Sequence, residues 1–181
     1  MALSTEEIKA NLTEFAVRWK ARKGYEKGEA QQFQLEFFGC FGPGIAEQVK
    51  FEAHKSGVGF VDGMIDDLII VEMKSASEAD KLERHRKQAL DYWRGLADAQ
   101  SGKKAPPYVV LCAFTKFEIW EPGSFPDEPV LAFDLDELPA HFDAFAFLLG
   151  RTPIFNANLE TVSVEAAREM ANLFESLEDR G

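Results

Sequence analysis

Three charged side chains cluster in and around one apolar run of the 181-residue sequence: Asp62, then nine residues, then Glu72-Met73-Lys74 within LIIVEMK. Successive side chains of an extended segment alternate between faces, so Glu72 and Lys74 point the same way. Asp62 precedes Glu72 by an even number of positions. An odd-length loop around Asp66-Asp67, or a bulge, would bring all three to one face and leave Val61, Ile69, Val71 and Met73 as a packed layer on the other. Charge inside so apolar a run is costly unless partnered, and a divalent cation would partner two carboxylates at once. Mg2+ takes oxygen ligands and keeps several waters. A lysine beside it can orient or deprotonate a water and stabilise charge growing on a phosphoryl group. Those are the parts that phosphodiester hydrolysis requires. Spacing alone marks nothing, because Glu7-Ile8-Lys9 repeats Glu-x-Lys in a segment that reads as a solvated helix face. The apolar setting sets the second copy apart.

The elements that must position these residues follow from punctuation and periodicity. Ser4 or Thr5 caps a helix to about Lys20, with Ile8, Leu12, Phe15 and Trp19 at helical spacing. A second helix runs from about Glu26 to Phe38 and ends at GCFGPG. Strands are predicted at Val49–Ala53, Gly59–Ile65 and Leu68–Lys74, with Asp66-Asp67 as the turn between the last two. A long helix, about Glu78 to Ala97, carries Gln88 and Tyr92 on one face (i, i+4) and Lys81, Arg84, Arg86, Lys87 and Arg94 as a basic surface, interleaved with acids. Strands at Tyr108–Phe114 and Lys116–Glu121 and an edge strand at Val130–Phe133 follow. Next come a Phe-rich helix, Leu138–Leu149, and a last helix capped by Ser163. This order implies an α/β fold, a mixed central sheet flanked by helices.

These residues together resemble the PD-(D/E)XK nuclease superfamily: an Asp on a β-hairpin, Glu-x-Lys on the next strand, then a helix with Gln-x-x-x-Tyr. More narrowly, the chain is similar to the N-terminal nuclease domain of single-chain restriction–modification enzymes of type IIG or IIL, whose polypeptide also carries a DNA adenine methyltransferase. The likeness runs through EKGEAQQFQLEFFGCFG, KFEAHKSGVGFVDGMIDDLIIVEMKS, RKQALDYW, PYVVLCAFTKFEIWEP and DLDELPAHFDAFAFLLGRTP. It implies a restriction-endonuclease-like fold over residues 1–150, with 151–181 as linker and start of a helical connector. It implies Asp62 and Glu72 as metal ligands and Lys74 as the catalytic lysine. Glu29 is the additional acid implied on the second helix, with Glu26 and Glu36 as nearby alternatives. Gln88 and Tyr92 match the motif beside the substrate backbone. The implied cofactor is Mg2+, or Mn2+ in its place; S-adenosylmethionine would enter only through a methyltransferase region absent from this sequence. The implied partners are double-stranded DNA, methyltransferase and target-recognition regions of the same polypeptide, and a second copy where both DNA strands are cut. The competing reading is a catalytically silent module of this fold, serving as a binding or scaffold domain of a DNA methyltransferase. A third is a regulatory subunit docking through its last helix.

The remaining features mostly exclude. No glycine-rich cofactor motif follows a strand, Pro106-Pro107-Tyr108 lacks the preceding amide residue of a methyltransferase motif, and GCFGPG follows a helix and lacks Gly-Lys-Ser/Thr. His54, His85 and His141 are dispersed, and Cys40 and Cys112 sit in apolar settings, so a zinc site or a thiol nucleophile is not expected. The acidic, polar start and the lack of a long apolar run imply a cytoplasmic protein with no membrane partner. The net charge of −11 argues against nucleic acid at first sight. Residues 1–110, however, hold 16 basic and 17 acidic residues, and residues 111–181 hold 4 and 14. The site half is close to neutral. The expectation is weak DNA binding by this piece, with affinity and sequence choice supplied from elsewhere.

Overall fold

The computed structural model describes residues 3–55, 59–97 and 105–155. It is an α/β structure built on one six-stranded sheet. Helix α1 (Thr5–Lys20) begins with a capping box: the Ser4 hydroxyl accepts from the Glu7 amide while the Glu7 carboxylate accepts from the Ser4 amide. Its apolar positions, Ile8, Leu12, Phe15 and Trp19, are all buried. Helix α2 (Glu26–Gly39) follows, and the GCFGPG segment, expected as a turn, holds one further helical turn, α3 (Pro43–Ala46), with Pro at its start.

The strands are β1 (Lys50–Lys55), β2 (Gly59–Ile65), β3 (Ile69–Met73), β4 (Tyr108–Cys112), β5 (Lys116–Trp120) and β6 (Leu131–Asp134), in that spatial order. Only β3 and β4 are parallel; the other neighbours are antiparallel. The connection between β3 and β4 is not the single long helix the sequence predicts. It is a 3-10 segment (Ala76–His85), broken at Lys81 (φ −130°), and then helix α4 (Arg86–Ala97). Leu82 is the one buried residue of the first segment. A lone apolar anchor gives no stripe along which a continuous α-helix could seat itself. The predicted helix Leu138–Leu149 is likewise replaced by 3-10 segments at Leu135–Glu137 and Phe142–Leu149.

Two cores sandwich the sheet. On one face, Ile65, Ile69, Val71, Met73, Val110, Cys112, Phe117 and Phe133 meet the aromatic side of α1 and α2. On the other, Ile70, Val109, Leu111 and Trp120 meet Leu82, Ala89 and Tyr92. Val61 packs in this second core, not with Ile69 and Val71 as alternation predicts. Both cysteines and Phe142, Phe145 and Phe147 are core residues. Among the described residues, no helix is long and apolar enough to cross a membrane. The predicted last helix, from Ser163, lies outside the described residues.

Candidate active site

The displaced Val61 shows how the strands deliver their charges. The β2–β3 ladder runs Ile65↔Ile69, Met64↔Ile70, Gly63↔Val71 and stops there. The next donor of β3, the Met73 amide, is taken by the Asp62 carboxylate at 2.7 Å. Opposite on β1, Glu52 has φ +48°, a left-handed kink that interrupts the β1–β2 ladder between Phe51↔Gly63 and Ala53↔Val61. The strand therefore changes face at Asp62, with its side chain filling the gap where β2 and β3 part. The bulge considered from the sequence would leave Val61 in the layer of Ile69, Val71 and Met73; the distortion found here turns Val61 into the second core instead.

Glu72 lies beside it, 1% exposed. Burial, and then the Asp62 charge, push its carboxyl up to about 7 against the pull of Lys74. Asp62 is raised for the same leading reason, burial, opposed by the Met73 hydrogen bond and Lys74. The Lys74 ammonium donates to Glu72 Oε1 at 2.7 Å and stands 3.8 Å from Glu26 Oε1. Burial alone would lower the lysine, but the hydrogen bond to Glu72 and the charges of Glu72, Glu26 and Asp62 outweigh it, so Lys74 is held above its ordinary value and stays an ammonium. The other Glu72 oxygen, Oε2, is buried and has no hydrogen-bond partner among the described residues. Two carboxylates raised chiefly by burial, and a buried oxygen with no hydrogen-bond partner among the described residues, fit a hard divalent cation. Among the described residues no group of three or more His, Cys, Asp or Glu side chains gathers for a metal. Asp62 and Glu72 are the two carboxylates that meet where β2 and β3 part.

The acid that α2 contributes is Glu26, not Glu29. The Glu29 carboxylate accepts from the Tyr25 amide at 2.8 Å and faces Arg22 at 3.9 Å, so it is spent on the start of its own helix. Glu26 is set toward Lys74 by a backbone tie, the Ala76 amide donating to the Gly24 carbonyl, and by its own amide donating to Ser75 Oγ. Gly24 permits the tie, since φ is +64° and a Cβ there would meet Ala76 Cβ at 2.8 Å.

Gln88 and Tyr92 are not brought to the cluster. Gln88 is exposed, Tyr92 is 3% exposed in the second core, and among the described residues neither bonds Lys74 or Glu72. The basic residues of the β3–β4 connection are partly engaged by their own neighbours. Lys87 and Arg94 pair with Asp91, Lys81 with Glu78, and Arg86 lies over the Trp120 ring.

Sequence reasoning missed Gln34. A cleft of about 400 Å³ opens between α2 and β1–β2, lined by Glu26, Lys27, Gln31, Gln34, Glu52 and Asp62. Gln34 is 1% exposed, and among the described residues neither amide atom has a hydrogen-bond partner. It lies against Gly63, where a Cβ would fall 1.8 Å from Gln34 Oε1. Its neighbours Phe33 and Phe37 are core, so the only signal in the sequence is a polar residue on an otherwise apolar helix face.

Among known proteins, the family model described as "MmeI, N-terminal domain" matches residues 10–180. No curated protein matches the chain, and no solved structure does.

Proposed function

The chain belongs to the MmeI N-terminal domain family, and from that premise we propose that it is the endonuclease part of a restriction–modification protein. In this reading it has the PD-(D/E)XK nuclease fold and hydrolyses DNA phosphodiester bonds with Mg2+. The observation that carries the reading is the Glu72 carboxylate: buried, bonded on one oxygen to Lys74 at 2.7 Å, bare on the other, and beside Asp62. Asp62 and Glu72 would hold the cation. Bound there, Mg2+ supplies Lewis-acid polarisation of a phosphoryl oxygen and a more acidic water. Lys74 keeps its proton and would donate to the phosphate oxygen on which charge grows, while solvent takes the proton that the attacking water loses. Glu26 keeps a second carboxylate within reach of the ammonium, so Lys74 stays anchored while Glu72 serves the metal. In this reading methyl transfer and target recognition belong to other regions of the parent polypeptide.

Duplex cleavage in Mg2+ by the wild-type chain and by Lys74→Ala is the test, with the variant expected to lose about a hundredfold or more in rate. Equal cleavage by both overturns the assignment. Calorimetry separates this reading from a silent module. Mg2+ heat should appear in the wild type and vanish in Asp62→Asn, and a wild type without heat supports the silent module.

A further inference from the structure

Phe60 is 60% exposed and stands one residue from the packed Val61. It is paired across the hairpin with His54, and the two rings lie 4.3 Å apart at 38°, both open to solvent. Their place on the sheet follows from the neighbouring rows. Ala53 and Val61 pack into the second core, on the face toward α4. Glu52 and Asp62 line the cleft on the opposite face. His54 and Phe60, one position further along each strand, therefore present the next row on the cleft side. The pair extends the floor of the cleft outward from Asp62.

A solvent-facing aromatic beside the cleft at Asp62, where the nuclease reading puts a cation-bound phosphate, suits a ligand with both a phosphate and an apolar ring face. Two positions along a strand span about 7 Å, close to the rise of two nucleotides at about 3.4 Å each along one DNA strand. We propose that Phe60, backed by His54, is a substrate-positioning residue that packs its ring on a sugar or base of the DNA strand about two nucleotides from the phosphate at Asp62 and Glu72. This inference rests on the nuclease reading above. It gives the chain a neutral means of holding DNA where the surrounding carboxylates, Glu26, Glu52 and Asp62, repel it. Stacking tolerates any sequence, in keeping with a nuclease part that leaves sequence choice to other regions.

The experiment compares the wild type, Phe60→Ala, Phe60→Trp and Lys74→Ala. Binding of a mixed-sequence duplex is followed by anisotropy with Mg2+ withheld, cleavage with Mg2+ present, and melting without DNA. Phe60→Ala should melt as the wild type does and bind the duplex about five- to a hundredfold more weakly, the range for losing one stacking aromatic. Phe60→Trp should restore binding, and its added indole emission should change when duplex is bound. Lys74→Ala should keep the binding and lose the cleavage. Wild-type binding by Phe60→Ala, or indole emission indifferent to duplex, overturns the inference while leaving the nuclease reading intact. Weakened binding by Phe60→Ala in a chain whose cleavage does not depend on Lys74 supports the DNA contact and overturns the nuclease reading. A wild type that binds no duplex overturns the inference outright.

Discussion

Glu72 concentrates the electrostatics of the site. Its carboxyl has an ordinary value of 4.5 and stands at about 7 in the fold, chiefly through burial. Between those values the folded chain holds more protons than the unfolded one, so stability must fall as pH rises across the window, by on the order of 3 kcal/mol. Asp62, also raised by burial, acts in the same direction. Urea unfolding at pH 5 and pH 8 should show this loss in the wild type and much less of it in Glu72→Gln. Mg2+ at pH 8 should recover it in the wild type alone, because the cation favours the ionised carboxylate that burial disfavours. A Glu72→Gln variant with the wild-type pH profile would remove Glu72 as the source. At this scale the sequence was informative: Asp62, Glu72 and Lys74 stand out because charge in an apolar strand demands a partner. The choice between Glu26 and Glu29 was not legible. Both lie in the first turn of α2, and only the tie between Gly24 and Ala76 decides which one turns toward Lys74.

Among the elements, the departures from prediction fall where local pattern and tertiary contact disagree. The segment after β3 carries helix-forming residues, yet it kinks at Lys81 so that Leu82 can enter the second core. Strand β2 reads as uniform alternation, yet it reverses face at Asp62 because that carboxylate takes the Met73 amide from the ladder. The fit of α2 on β2 rests on Gly63 leaving room for Gln34. Gly63→Ala should therefore cost about 1–3 kcal/mol in urea unfolding, the usual penalty of overpacking. Adding Gln34→Ala should return most of it, and the non-additivity measures the contact. Additive losses would show that the strain lies elsewhere.

For the molecule as a whole, the sheet places the candidate site and the acidic cleft on its β1–β3 side. The basic residues of the β3–β4 connection that the sequence offered as a phosphate surface are engaged by Asp91, Glu78 and the Trp120 ring. With a net charge of −11 and carboxylates lining the cleft, the chain should bind duplex DNA no better than non-specifically. The dissociation constant should be about 10 µM or weaker at physiological salt, measurable by fluorescence anisotropy. Nanomolar, sequence-selective binding by these 181 residues would show that target choice resides here after all. The sequence by itself determined the α/β class and the order of the strands, and it singled out Asp62, Glu72 and Lys74. Hydrophobic periodicity, turn residues and the cost of a buried charge are local properties, visible along the chain. Only the tertiary structure decided that Glu26 and not Glu29 joins the trio, that Gln88 and Tyr92 do not reach it, and that Gln34 and Phe60 border it. Those outcomes depend on which backbone groups meet across the sheet and on where β2 changes face, and neither is encoded within any one segment.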